Sequence, residues 1–251
     1  MVLGGLVGVA LGGCTRSGTG PVASPAVTSR PASPRPPSAE VTAADFDWFE
    51  QEEPGLAVCF TFSWLAGLTP EQVVRRIGGR PVGRFTWTDA PEDPDDGVIV
   101  LVTRAGDWAL MIETYTMYGT YEATTELCRD TRLIANFRNV ELDGMFLLAE
   151  NGERLVDFDP YTAYSRSGER PDMLVPEMKA LGFQVEQPTA PEPSPTAEFS
   201  ETEAGFALAE RLTRVPFTSE LLNSSTYLAA VVPDPLDGAV YTPDQVRTAP
   251  T

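Results

Sequence analysis

Histidine is absent from the 251-residue chain, and that narrows the chemistry open to it. Without an imidazole there is no Ser-His-Asp or Cys-His nucleophile system and no H-E-x-x-H zinc site. Lys179 is the sole lysine, so a Ser-Lys dyad would have to use it. Carboxylates remain. Glu113, Glu141, Asp157 and Asp159 lie on or beside expected strands. Two of them converging in a cleft could hydrolyse glycosides without histidine. With 36 acidic residues in the chain, though, carboxylates near strands are expected by chance. The residues define no catalytic set, no cofactor site and no metal site.

Glu92-Asp93-Pro94-Asp95-Asp96-Gly97 is the most acidic loop. A calcium loop needs oxygen ligands at alternate positions before its glycine and an acid at the twelfth position. Pro94 occupies one of those positions and Thr103 the twelfth, so the stretch reads as a solvated turn. Trp108, Tyr115, Tyr118 and Tyr121 surround the next hairpin. Most should pack on the sheet. Their polar ends also suit a binding face, with Glu113 and Arg138 as partners, so Trp108, Glu113, Tyr115 and Arg138 form the candidate face.

Three cysteines have separate readings. Residues 2–11 are an apolar run too short to span a bilayer, the length of a signal-peptide core. It leads into Leu11-Gly12-Gly13-Cys14, which resembles a bacterial lipobox, although no basic residue precedes the run. The expectation is a signal peptide over 1–13 and lipid on Cys14. A diacylglyceryl group there suffices as an anchor, since two acyl chains hold stably where one is marginal. Outside the cytoplasm, Cys59 and Cys128 would be free to form a disulfide, whereas burial of Cys59 in an apolar strand would leave it inert. Both readings stay open.

The elements that would position these residues are legible in part. Residues 14–41 are Pro/Ser-rich and read as an extended tether. Thr42 to Glu53 reads as a short helix and Leu56 to Leu65 as a buried strand. Thr69, Pro70 and Gln72 form a helix start, with Gly78-Gly79 as its stop. Further strands are expected at Arg84 to Trp87, Val98 to Arg104, Trp108 to Tyr115, Leu133 to Val140, Met145 to Glu150 and Arg154 to Phe158. Asn151-Gly152 marks a type I′ hairpin. Helices are expected at Ala123 to Arg129, at Asp172 to Leu181, and from a Ser200/Glu203 capping box to Thr213, with a capped turn at Thr218 to Leu222. The predicted fold class is α+β, an antiparallel meander with helices packed on one face. It has a main domain over 42–186, a linker over 187–199, a helical extension over 200–232 docking on the domain, and a loose tail over 233–251.

The formal net charge is −18. Such a surface repels phosphate backbones and excludes non-specific nucleic-acid binding. It also repels anionic lipid, so membrane attachment would rest on Cys14. Solubility is one use of this charge, and attraction of a cationic ligand or basic protein is another.

Several short stretches together resemble a known family. They are Gly67-Leu68-Thr69-Pro70-Glu71 with Arg75-Arg76, Arg104-Ala105-Gly106-Asp107-Trp108 with Glu113, and Phe137-Arg138-Asn139-Val140. Ala209-Glu210-Arg211-Leu212-Thr213 and Leu221-Leu222 extend the likeness. The whole resembles an actinobacterial family of uncharacterised domains, over roughly Phe46 to Leu222. The resemblance implies an actinobacterial source and an α+β domain, and it implies no activity. Many members of that family look cytoplasmic, and the lipobox and tether depart from their pattern. Three functional expectations follow. The first is a non-enzymatic, surface-tethered lipoprotein that binds a partner, such as another protein, through the exposed side of its sheet. The others are a carboxylate-based hydrolase of envelope glycans and a cytoplasmic regulatory domain.

Overall fold

The strands that alternate or run apolar along this chain assemble into one antiparallel sheet. The computed structural model describes residues 40–117, 119, 121, 123–188 and 200–233. The signal segment, Cys14, the tether up to residue 39, Tyr118, residues 189–199 and the tail from residue 234 lie outside the described residues.

The strands are β1 (Phe60–Ala66), β2 (Arg80–Phe85), β3 (Val98–Ala105), β4 (Trp108–Thr114), β5 (Arg132–Arg138), β6 (Gly144–Glu150), β7 (Glu153–Phe158) and β8 (Tyr227–Val232). Their spatial order is β2-β8-β3-β4-β1-β5-β6-β7. Only β3-β4 and β5-β6-β7 follow the chain as a meander. β1 sits between β4 and β5, and β8 between β2 and β3. The β6–β7 turn has Asn151 at φ 54° and Gly152 at φ 89°. Two successive positive φ values are what a type I′ hairpin needs.

The α+β class is as expected, but helices cover both faces of the sheet. The cause is visible in the strands: β1, β3, β4, β5, β6 and β8 bury consecutive residues, so each must be covered twice. One face carries α1 (Trp48–Glu52), α4 (Val175–Ala180), α5 (Glu201–Thr213) and α6 (Ser219–Ser224) over the larger core. There Phe46, Phe49, Phe206 and Phe217 meet Phe60, Phe62 and Trp64 of β1. The Phe49–Phe206 and Phe206–Phe217 centroids are each 4.8 Å apart. Such pairs add about 0.5–1.5 kcal/mol each beyond burial. The other face carries α2 (Pro70–Arg76) and α3 (Thr124–Leu127) on Leu65, Met111, Leu133 and Leu147.

Local signals hold at α2. The Thr69 hydroxyl accepts from Gln72 N at 3.3 Å, and Gln72 Oε1 accepts from Thr69 N at 2.7 Å. At α5 the outcome differs: Ser200 makes no side-chain cap, and Glu203 is buried instead of reaching back to it. The helix start is held by tertiary contacts. Residues 200–232 are also more than a helical extension. Their last strand, β8, is buried along its whole length inside the sheet, so the segment completes the domain.

Candidate functional site

The acidic loop becomes the roof of a cleft. Asp93 Oδ1 accepts from Ile99 N at 2.6 Å, tying the loop to the start of β3. Asp96 pairs with Arg80 at 3.1 Å. Gly97 lies so close to β8 that a Cβ there would come within 2.2 Å of the Val232 carbonyl oxygen, so no larger residue fits. Held at these points, the loop leaves a cleft of about 400 Å³ over the larger-core face. Its floor is Ile99, Leu101, Ile112 and Thr114, and its walls are Trp87, Ala90, Pro91, Glu92 and Asp93. The Trp87 indole N–H donates to Glu53 Oε2 at 3.2 Å, and its ring centroid lies 6.2 Å from that of Tyr227. The indole is therefore oriented from two sides. Glu92 and Asp93 are the charged residues of the lining.

One residue past the floor, the chain turns outward at Tyr115, which has φ 57° and is 62% exposed. Val58, Val140 and Leu142 are also exposed. Leu142 has φ 68°, a second left-handed position on a large side chain. Such backbone is costly for branched and bulky residues and tends to mark functional or turn positions. The Cys59 thiol faces the backbone amides of Tyr115 and Val140, which places Tyr115 and Val140 at one end of the sheet.

The four residues of the expected binding face are not brought together. Trp108 begins β4 and packs against the larger core, at the far end of the strand from Tyr115. Glu113 is fully buried under the α2/α3 face, opposite Thr61. Both of its carboxylate oxygens accept from Gly119 N, at 3.2 Å each. Arg138 points to the other face, donating to Glu50 Oε1 at 2.8 Å and Thr202 Oγ1 at 3.2 Å. Glu113 and Arg138 therefore cannot be partners. The face expected on the exposed side of the sheet is also missing, because the central strands are covered on both sides.

The other carboxylates are dispersed. Asp157 pairs with Arg154 at 2.6 Å, and Asp159 Oδ1 caps Tyr161 N at 2.9 Å. Glu141 is exposed in the β5–β6 turn. The cleft is lined by none of Glu113, Glu141, Asp157 or Asp159. A second cleft of about 330 Å³, lined by Thr42, Ala43, Ala44, Asp47, Ala180, Leu181 and Ser200, also holds none of them. Around the start of α5, burial pushes the carboxyls of Glu201, Glu203 and Asp159 upward, and Arg138 only partly opposes this for the two glutamates. The bonds that join the start of α5 to the sheet are those of Asn136 and Arg138 to Thr202.

Of the two readings left open for Cys59 and Cys128, the structure has the unbonded one: both thiols are free and buried. Cys59 precedes β1, whereas Cys128 lies by Thr131, whose hydroxyl donates to the carbonyl of Ala66 at the other end of that strand. A seven-residue strand separates them by roughly 20 Å, far beyond disulfide reach. Burial raises both thiol pKa values, which makes them inert. Among the described residues, no group of three His, Cys, Asp or Glu could hold a metal ion, and no helix is long and apolar enough to cross a membrane.

The sequence reading missed the cleft because its parts are remote. Trp87, Glu92 and Ile112 meet only once β8 and β4 flank β3. The local signal was a tryptophan followed by a Pro-broken acidic loop and an apolar strand. Residues 39–236 match the model of a family of unknown function, DUF6461. No curated protein and no solved structure matches the chain.

Proposed function

The chain belongs to the family of unknown function DUF6461, and we propose that it is a non-enzymatic binding module that takes a protein partner at the cleft beneath residues 86–97. The observation that carries this reading is the cleft itself. It has an apolar floor, an oriented tryptophan and acidic walls, and the exposed residues Tyr115, Val140 and Leu142 follow strand ends on the same end of the sheet as Thr114. Such a combination of an apolar pocket with few polar groups is the usual form of a recognition site. Large apolar side chains left exposed at that end of the sheet are what a partner would cover. Of the two carboxylates in the lining, Asp93 is tied to Ile99 N and both it and Glu92 are solvent-exposed, which favours binding over turnover.

The same proposal places the module at the outer face of the cytoplasmic membrane, anchored through lipid on Cys14 and spaced by residues 14–41. The apolar run, the lipobox-like Leu11-Gly12-Gly13-Cys14 and the Pro-rich stretch support it.

A photo-crosslinker placed at Ala90 in the full chain, expressed in its host, tests the cleft. One placed at Met173, exposed elsewhere, is the control. A single partner captured from Ala90 and not from Met173 is the expected result. Equal capture from both positions, or none from Ala90, overturns the reading. Intact mass of the membrane-fraction protein, beside a Cys14→Ala variant, tests the anchor. A chain beginning at Cys14 with a diacylglyceryl addition is expected. An unmodified full-length chain in the cytosol would replace this address with that of a cytoplasmic regulatory domain.

A further inference from the structure

We infer that the cleft receives a basic side chain, an arginine in an extended segment of the partner, and that its charge is what the 86–97 loop recognises. This deepens the proposed function and rests on it.

Three observations point the same way. First, the charged lining residues are Glu92 and Asp93, both acidic, and no basic residue lines the cleft. The nearest basic contact of the loop, Arg80, is directed to Asp96. Glu53 adds a third carboxylate behind the Trp87 indole. Second, the floor is aliphatic: Ile99, Leu101 and Ile112, with Thr114 at its end. A long basic side chain has this same division, an apolar stem and a charged head, and lays its stem on such a surface. Third, Trp87 stands in the wall with its indole nitrogen already engaged, leaving its π system as what it can offer a ligand. A guanidinium is weakly hydrated, planar and well suited to an aromatic wall flanked by carboxylates.

The charge of the whole chain acts in the same direction. A net charge of −18 attracts basic segments at long range and speeds their encounter. It cannot select among them, and the cleft supplies that selection.

The test compares a capped pentapeptide carrying one central arginine with its citrulline twin, which keeps the shape and loses the charge. Each is titrated into the full-length chain, with the Trp87 indole N–H and the Ile99 and Ile112 methyl signals followed by NMR. Trp87→Phe assigns the indole signal among the four tryptophans. The arginine peptide is expected to move these signals, and the citrulline twin to bind about tenfold more weakly. Glu92→Gln, an exposed position, should weaken the arginine peptide by about threefold at low salt. Equal binding of both peptides at the Trp87 signal would overturn the charge assignment while leaving the cleft as a binding site. Shifts scattered over the acidic surface that spare Trp87 would reduce the effect to non-specific attraction and overturn the inference. No response to either peptide at millimolar concentration would overturn both the inference and the cleft reading.

Discussion

Replacing Gly205 with alanine sets two effects of opposite sign on one residue. Gly205 lies inside α5, where alanine is preferred over glycine by about 1 kcal/mol. Helix propensity alone therefore makes Gly205→Ala stabilising. The sheet beneath says otherwise. A Cβ at 205 would stand 2.4 Å from Asn136 Oδ1, 2.8 Å from its Cγ and 2.9 Å from its Nδ2. Asn136 has little room to yield: it is 1% exposed and paired across the sheet with Phe62 and Phe146. Its Nδ2 donates to the carbonyl of Thr202 at 3.3 Å, in the first turn of the same helix. Restoring normal contact requires a shift of roughly 1 Å in α5 or β5, and overpacking of that kind costs about 1–3 kcal/mol. Taking the upper part of that range, because backbone must move, the net loss is about 1–2 kcal/mol. The melting temperature should fall by roughly 2–8 °C for a domain of this size. The companion variant Asn136→Ala removes the obstruction together with one hydrogen bond. Gly205→Ala should then be neutral or stabilising in the Asn136→Ala background, with a coupling of about 1 kcal/mol or more between the two sites. Urea unfolding of the wild type, both single variants and the double variant measures it. A Gly205→Ala protein as stable as the wild type would refute the reasoning, because Asn136 would then not set the position of α5.

Burial raises the Glu203 carboxyl pKa, so the stability linked to this group is fully present below the ordinary glutamate range and is lost as pH rises through the raised value. Glu203→Gln should therefore stabilise the domain at neutral pH and converge with the wild type in mild acid, as read from thermal melts across pH; an advantage independent of pH would contradict this. Cys59 and Cys128 should resist alkylation in the native state and both react after denaturation, and an intact mass two hydrogens light would show a disulfide instead. Thr69→Ala removes one half of the reciprocal cap of α2 and should cost about 1 kcal/mol by urea unfolding, whereas an unchanged midpoint would mean that α2 is held by packing alone.

Much of the local structure was written in adjacent residues. Thr69-Pro70-Glu71-Gln72 satisfies its own helix end, and Asn151-Gly152 adopts the two left-handed conformations its hairpin requires. Each depends on backbone preferences and hydrogen bonds within four residues. The absence of histidine and the net charge likewise constrained chemistry without any fold. Tertiary structure decided the rest. Residues 227–232 are a continuous apolar run bounded by Asn223-Ser224-Ser225 and Pro233, a pattern that suits a buried strand, but only the fold puts β8 between β2 and β3. Glu203 has the spacing of a capping residue and is instead buried against the sheet. Glu113 and Arg138 are separated by the thickness of the sheet because side chains alternate along strands, and the parity of each residue is set only when register is. The cleft exists for the same reason. Its floor comes from β3 and β4 and its walls from the loop before β3, and only their pairing creates a surface on which a ligand could sit.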